Sequence, residues 1–114
     1  MESAHRLEEV SEPLVVLTTV ARVEDAEYIA REMVERRLAA CVNILPPVTS
    51  VYRWQGEVTR EAEHLLLMKT RKDRFEALRA RLVEIHPYDT PEVVALPVAA
   101  GHLPYLQWIA DNAS

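Results

Sequence analysis

Pro46, Pro47 and Pro97 fall inside stretches that otherwise read as β-strand, and no other feature of the sequence restricts its topology as strongly. Proline has no backbone N–H to give to a sheet ladder, so it is confined to edge strands, strand ends and bulges. A sheet built by this chain must therefore carry the segments around 46–47 and 97 at its edges. The proline-free apolar runs, LVVLTTV at 14–20 and LLLM at 65–68, are left for its centre.

The intervening segments have helical spacing. Between Arg22 and Arg37, Ala26, Ile29, Ala30, Met33 and Val34 fall on one stripe, and Glu24, Asp25 and Glu27 suit the positive N-terminal end. Asp73 with Glu76 three residues later has capping-box spacing, and Phe75, Leu78, Leu82 and Ile85 make a second stripe that ends at His86, before Pro87. Leu103 to Ala110 reads as a closing helix with Leu106, Ile109 and Ala110 inward. Gln55 and Gly56 can reverse the chain, so Leu38–Trp54 and Glu57–Thr70 form one long hairpin, and Glu92 to Ala99 is the last strand.

The order is βαββαβ plus a C-terminal helix, an α+β ferredoxin-like (split βαβ) fold whose right-handed crossovers place two helices on one sheet face. Its first and third strands are central and its second and fourth are edges, as the prolines require. Residues 1–13 read as a leader ending at Pro13, and 14–114 as one domain. The hairpin overshoots strands of about seven residues, and an isolated two-stranded extension is marginal in water. With Tyr52 and Trp54 at its tip and one sheet face uncovered, pairing with neighbouring copies is expected, with a hairpin folded over its own sheet as the alternative.

A formal net charge of -5 and scattered basic residues exclude a general nucleic-acid binder. Arg71, Lys72, Arg74, Arg79 and Arg81, interleaved with Glu76 and Glu84, read as a solvated helix face. No apolar run approaches the length of a membrane span, and the acidic N-terminus is unlike a secretory leader. One cysteine, Cys41, cannot close an intrachain disulfide. Together these point to the cytoplasm. With two glycines, Gly56 and Gly101, there is no phosphate-cradling loop and no nucleophile elbow, and no nucleophile with an orienting base is identified. The expectation is a protein that is not an enzyme.

Five blocks carry a resemblance across Leu14 to Trp108: Leu38-Ala39-Ala40-Cys41-Val42-Asn43, Tyr52-x-Trp54-x-Gly56, Lys69-Thr70, His86-Pro87-Tyr88-x-x-Pro91-Glu92 and Tyr105-Leu106-x-Trp108. In this order and spacing they resemble the CutA divalent-ion tolerance family. The resemblance implies a tight trimer built by the long hairpins, a shape similar to the PII signalling proteins, and a link to divalent metals, copper above all. Members in which copper ligation is proposed place a cysteine near the end of the first strand and two adjacent histidines before the Pro-Tyr. This chain has Thr18 and Thr19 in that strand and Ile85-His86 before Pro87, so it keeps one of the three.

His86 is accordingly the first candidate metal ligand, with a carbonyl-capping role at the helix end as its structural alternative. Cys41 is the second, as a thiolate if it approaches His86, against an ordinary small core residue. Glu61, Glu63 and Lys69 share strand parity and so project from one face, where with Tyr88, Asp89 and Glu92 they form a candidate polar cleft between subunits. A salt-bridge network is the alternative. Trp54 and Gln55 border the same cleft or anchor the interface. His5, His64 and His102 have no metal-set spacing and read as surface residues. Three functions follow: a metal-responsive, copper-binding trimer, a PII-like sensor of a small anionic ligand, and a structural or anchoring trimer.

Overall fold

The computed structural model describes residues 12–114. Residues 1–11, most of the expected leader, lie outside the described residues, and the first strand begins at Pro13. Chain order is β1 (Pro13–Val20), α1 (Val23–Glu35), β2 (Cys41–Ile44), β3 (Val48–Trp54), β4 (Glu57–Arg71), a 3-10 turn (Lys72–Arg74), α2 (Phe75–Ile85), β5 (Val94–Pro97) and α3 (Leu103–Asn112). The antiparallel sheet runs β2-β4-β1-β5, with β3 continuing the β2 edge along β4. Thus the two apolar runs are in the central strands, Pro13 only starts β1, and Pro46, Pro47 and Pro97 lie at the margins, as the α+β split βαβ reading requires.

Burial alternates along β1, with Leu14, Val16, Thr18 and Val20 under the crossover helices. On that face Val16, Val20, Leu66 and Met68 meet Ala26, Ile29 and Met33 of α1 and Leu78 and Leu82 of α2. Removing each large aliphatic from water is worth about 1.5–3 kcal/mol, which makes this cluster the main stabilising unit. Val34, read as part of the inner stripe, stays exposed, and the buried stripe is the narrower one of Ala26, Ile29 and Met33. Arg81 of α2 donates to Glu32 of α1 at 2.6 Å and to Glu84 at 2.6 Å, while Arg36 reaches Glu32 at 2.8 Å. The expected solvated basic face therefore includes a residue that ties the two helices together.

On the opposite face α3 covers one end of the sheet, packing Ile109 and Ala113 on Ala40. Arg71 donates to the Ala110 carbonyl at 3.0 Å, and Arg37, at φ 58°, donates to the carbonyls of Asp111 and Ser114 at 2.6 and 3.0 Å. These guanidinium groups satisfy carbonyls that the helix end leaves without intrahelical partners. Asp73 does not stand at the start of α2 as the capping spacing predicts. It lies within the preceding 3-10 turn and accepts two bonds of 2.7 Å from Arg71, which competes for the carboxylate.

The hairpin breaks at Leu45–Pro47. Ile44 pairs with Leu66, yet Val48 pairs with Glu63, so one extra residue is accommodated on the proline side. Without it Val48 would oppose Ala62, and Tyr52 would share a face with Arg60 in place of Glu61. His64 marks the bulge: its Nδ1 lies 3.0 Å from the Leu45 carbonyl, and the residue is partly buried, not a surface histidine as expected. Beyond the bulge the hairpin closes on Gln55 and Gly56, both at positive φ (48° and 81°), the geometry of a two-residue I′ turn. The protruding arm stretches the molecule to 54 × 25 × 23 Å.

Candidate functional site

Two polar groups emerge where the sequence indicated one cleft. At the base of the hairpin, Tyr88 donates from its hydroxyl to Glu63 at 2.7 Å, and Tyr52 donates to Glu61. Glu63 is 7% exposed although Glu61 and Ala62 before it face solvent, because the loop after α2 brings Tyr88 over it. Burial first, then the bond to Glu63, raises the Tyr88 phenol above its ordinary range, so it donates at any physiological pH. The bond to Glu61 raises that of Tyr52.

Lys69 lies six residues further along β4, about 20 Å at strand rise, and belongs to a second group. Its Nζ donates to the Tyr105 hydroxyl at 3.2 Å, and the Tyr105 and Trp108 rings stack at 5.6 Å. Glu61, Glu63 and Lys69 do share a strand face, as parity predicts, but one chain does not bring Lys69 to the acidic pair. Asp89 and Glu92 are exposed on the loop that carries Tyr88, and Trp54 and Gln55 are exposed at the hairpin tip.

His86 is 8% exposed, and both its ring nitrogens are engaged. The Tyr88 backbone N–H donates to Nδ1 at 3.0 Å, which makes Nδ1 an acceptor. Nε2 must then carry the proton, and it donates to the Thr19 carbonyl at 2.9 Å at the end of β1. Burial holds the imidazole pKa below its ordinary value, against the opposing effects of the Thr19 carbonyl, Asp25 and Glu63. A ring so held has no lone pair for a cation. Its backbone bonds are those of a structural tie, close to the capping alternative but directed at β1 and not at the last carbonyls of α2.

Cys41 does not approach His86. It is opposite Lys69, whereas Thr19 is opposite Leu65, four residues along β4 and about 13 Å away at strand rise. Its Sγ lies 3.9 Å from the Asn43 amide oxygen. The two candidate ligands therefore do not fit a joint copper site in this chain, and among the described residues no group of three His, Cys, Asp or Glu is placed to hold a metal ion.

The unfilled surface is larger than either polar group. Leu17, Leu65 and Leu67 are half-buried on the face away from α1 and α2, and beside them Val94 and Leu96 are 45% and 49% exposed. The arm adds Val51, Trp54 and Val58, each more than 60% exposed. Contiguous exposed apolar surface of this kind is characteristic of interaction surfaces in general.

A split βαβ unit with an overlong hairpin, a helix over one end of its open face and a tyrosine-tethered acidic pair defines a class of small α+β proteins. The chain belongs to the CutA1 divalent ion tolerance protein family, whose pattern matches residues 14–112. It is 54% identical over 98 residues to the divalent-cation tolerance protein CutA of Thermus thermophilus, covering 86% of this chain and 95% of that one. It is 48% identical over 84 residues to human protein CutA, covering 74% of this chain and 47% of that longer protein. Two solved structures agree. The Thermus thermophilus protein has a TM-score of 0.87 at 52% identity, over 90% of this chain and 99% of that one. CutA1 of Oryza sativa has a TM-score of 0.89 at 41% identity, over 92% and 96%.

Proposed function

We propose that this protein serves divalent-cation tolerance as a homotrimeric, non-enzymatic protein of the cytoplasm, and that its working surfaces lie between copies. The carrying observation is the open sheet face continuous with an arm whose largest apolar side chains have nothing to pack on within one chain. Three copies exchanging arms would cover both, and would also let Lys69 of one copy meet Glu61 and Glu63 of another. The names of relatives, which speak of divalent-cation tolerance, support the cation reading. The single cysteine supports a reducing compartment.

Within one chain the geometry of His86 and Cys41 argues against copper ligation by that pair, so cation contact is assigned to the assembly and not to those two side chains. Titrating the assembled protein with Cu²⁺ in a calorimeter, beside Cys41→Ser and His86→Gln, tests this. Saturable binding that persists in both variants is expected. Absence of binding contradicts the cation reading, and loss in either variant returns the site to those residues. The Lys69–Tyr105 pair at the edge of the open face favours a second reading, a PII-like sensor of a small anionic ligand.

A further inference from the structure

We propose that His86 and Tyr88 form an acid-sensitive latch between the loop after α2 and the base of the long hairpin, closed while His86 is neutral and opened when Nδ1 takes up a proton. The latch has three bonds in series. His86 Nε2–H donates to the Thr19 carbonyl, the Tyr88 N–H donates to His86 Nδ1, and the Tyr88 hydroxyl donates to Glu63. The two rings lie 4.8 Å apart at 59°, so ring and backbone of Tyr88 are held together.

This arrangement admits one protonation state. A second proton on the imidazole would set Nδ1–H against the Tyr88 N–H, two donors face to face in a site that water reaches poorly. The proton arrives from solvent, no other bond to hydrogen is broken covalently, and the Tyr88 amide is left without its acceptor. Relief requires the 86–88 turn to move, which carries the phenol away from Glu63 and unties the hairpin base.

The groups facing the ring are Asp25 on α1 and Glu63 on β4, both favouring the cation, with the Thr19 carbonyl of β1 acting in the same sense. Around Tyr88 stand Glu61 on β4 and Tyr52 on β3. Burial outweighs them at His86 and depresses its pKa below the ordinary 6.5. The closed state therefore binds fewer protons than the open one as pH falls through and below that value. Acid favours opening, and neutral or alkaline solution favours closure. This inference stands on contacts within one chain and does not rest on the proposed assembly.

The test is NMR of the full chain between about pH 8 and pH 5, following the imidazole nitrogens, the Glu63 carboxyl carbon and the exchange of the Tyr88 amide. The expected result is the Nε2–H tautomer at high pH and protonation of His86 below the ordinary imidazole range. Tyr88 amide exchange, corrected for its intrinsic pH dependence, should accelerate about tenfold or more with that protonation while the Val16 amide does not follow. Tyr88→Phe keeps the backbone bond and removes the phenol hydroxyl, so its amide step should persist while the Glu63 response to His86 protonation disappears. Protonation of His86 within or above the ordinary imidazole range, or a Tyr88 amide that stays protected after His86 is protonated, overturns the latch. An unchanged Glu63 response in Tyr88→Phe overturns its link to the hairpin.

Discussion

Thr18 and Thr70 occupy equivalent fully buried positions on the two central strands, yet their hydroxyls have opposite fates. The Thr70 hydroxyl donates to the Leu38 carbonyl at 2.6 Å, while that of Thr18 has no partner among the described residues. A buried hydroxyl without a hydrogen bond loses its hydration and gains nothing in return. Replacement by the near-isosteric valine should therefore separate the two. Thr18→Val is expected to stabilise by about 1 kcal/mol and Thr70→Val to destabilise by about 1–2 kcal/mol, read from urea unfolding midpoints at constant slope. Loss of stability in Thr18→Val would show that its hydroxyl is satisfied after all. His86 illustrates the same rule with the accounts closed: both polar atoms are used, and that use removes it from metal chemistry. Spacing before Pro87 marked the residue, but the Thr19 carbonyl is 67 positions away in sequence, so its partner was not legible.

At the scale of elements, the hairpin turn gives the plainest expectation. Gly56 has φ 81°, and an added Cβ would meet nothing within 4 Å, so only backbone strain opposes a side chain there. Gly56→Ala should cost about 1 kcal/mol, measured by thermal unfolding, and should leave the core unaltered. A cost of several kcal/mol would mean that the turn is packed against something, as a neighbouring copy would provide. The strands themselves were legible because proline and apolar runs obey backbone rules that need no tertiary context. The single extra residue at Leu45–Pro47 was legible only as an edge or bulge, since its register effect depends on which β4 residue is opposite. Asp73 lies inside the 3-10 turn before α2 and accepts bonds from Arg71, two residues away, a partner that capping-box spacing alone does not reveal. Parity correctly placed Glu61, Glu63 and Lys69 on one face. Within one chain Lys69 lies six positions along β4 from Glu63, so the expected cleft between subunits needs a second copy to join them.

For the whole molecule, the distribution of apolar surface is the governing fact. Among the described residues, one face of the sheet has a packed core of α1 and α2, and the other has the short helix α3 over one end, with Val94, Leu96 and the arm exposed. Association that covers this surface would be driven mainly by apolar burial and should be insensitive to salt, whereas a link between Lys69 and the acidic pair across copies would weaken as salt screens it. Sedimentation velocity of the full chain at micromolar concentration tests the central claim most directly. The account predicts one species of about 39 kDa, three times the 13.0 kDa chain, unchanged between low and high salt. A folded species sedimenting at 13.0 kDa would contradict it, because the arm and open face would then be stable without a neighbour.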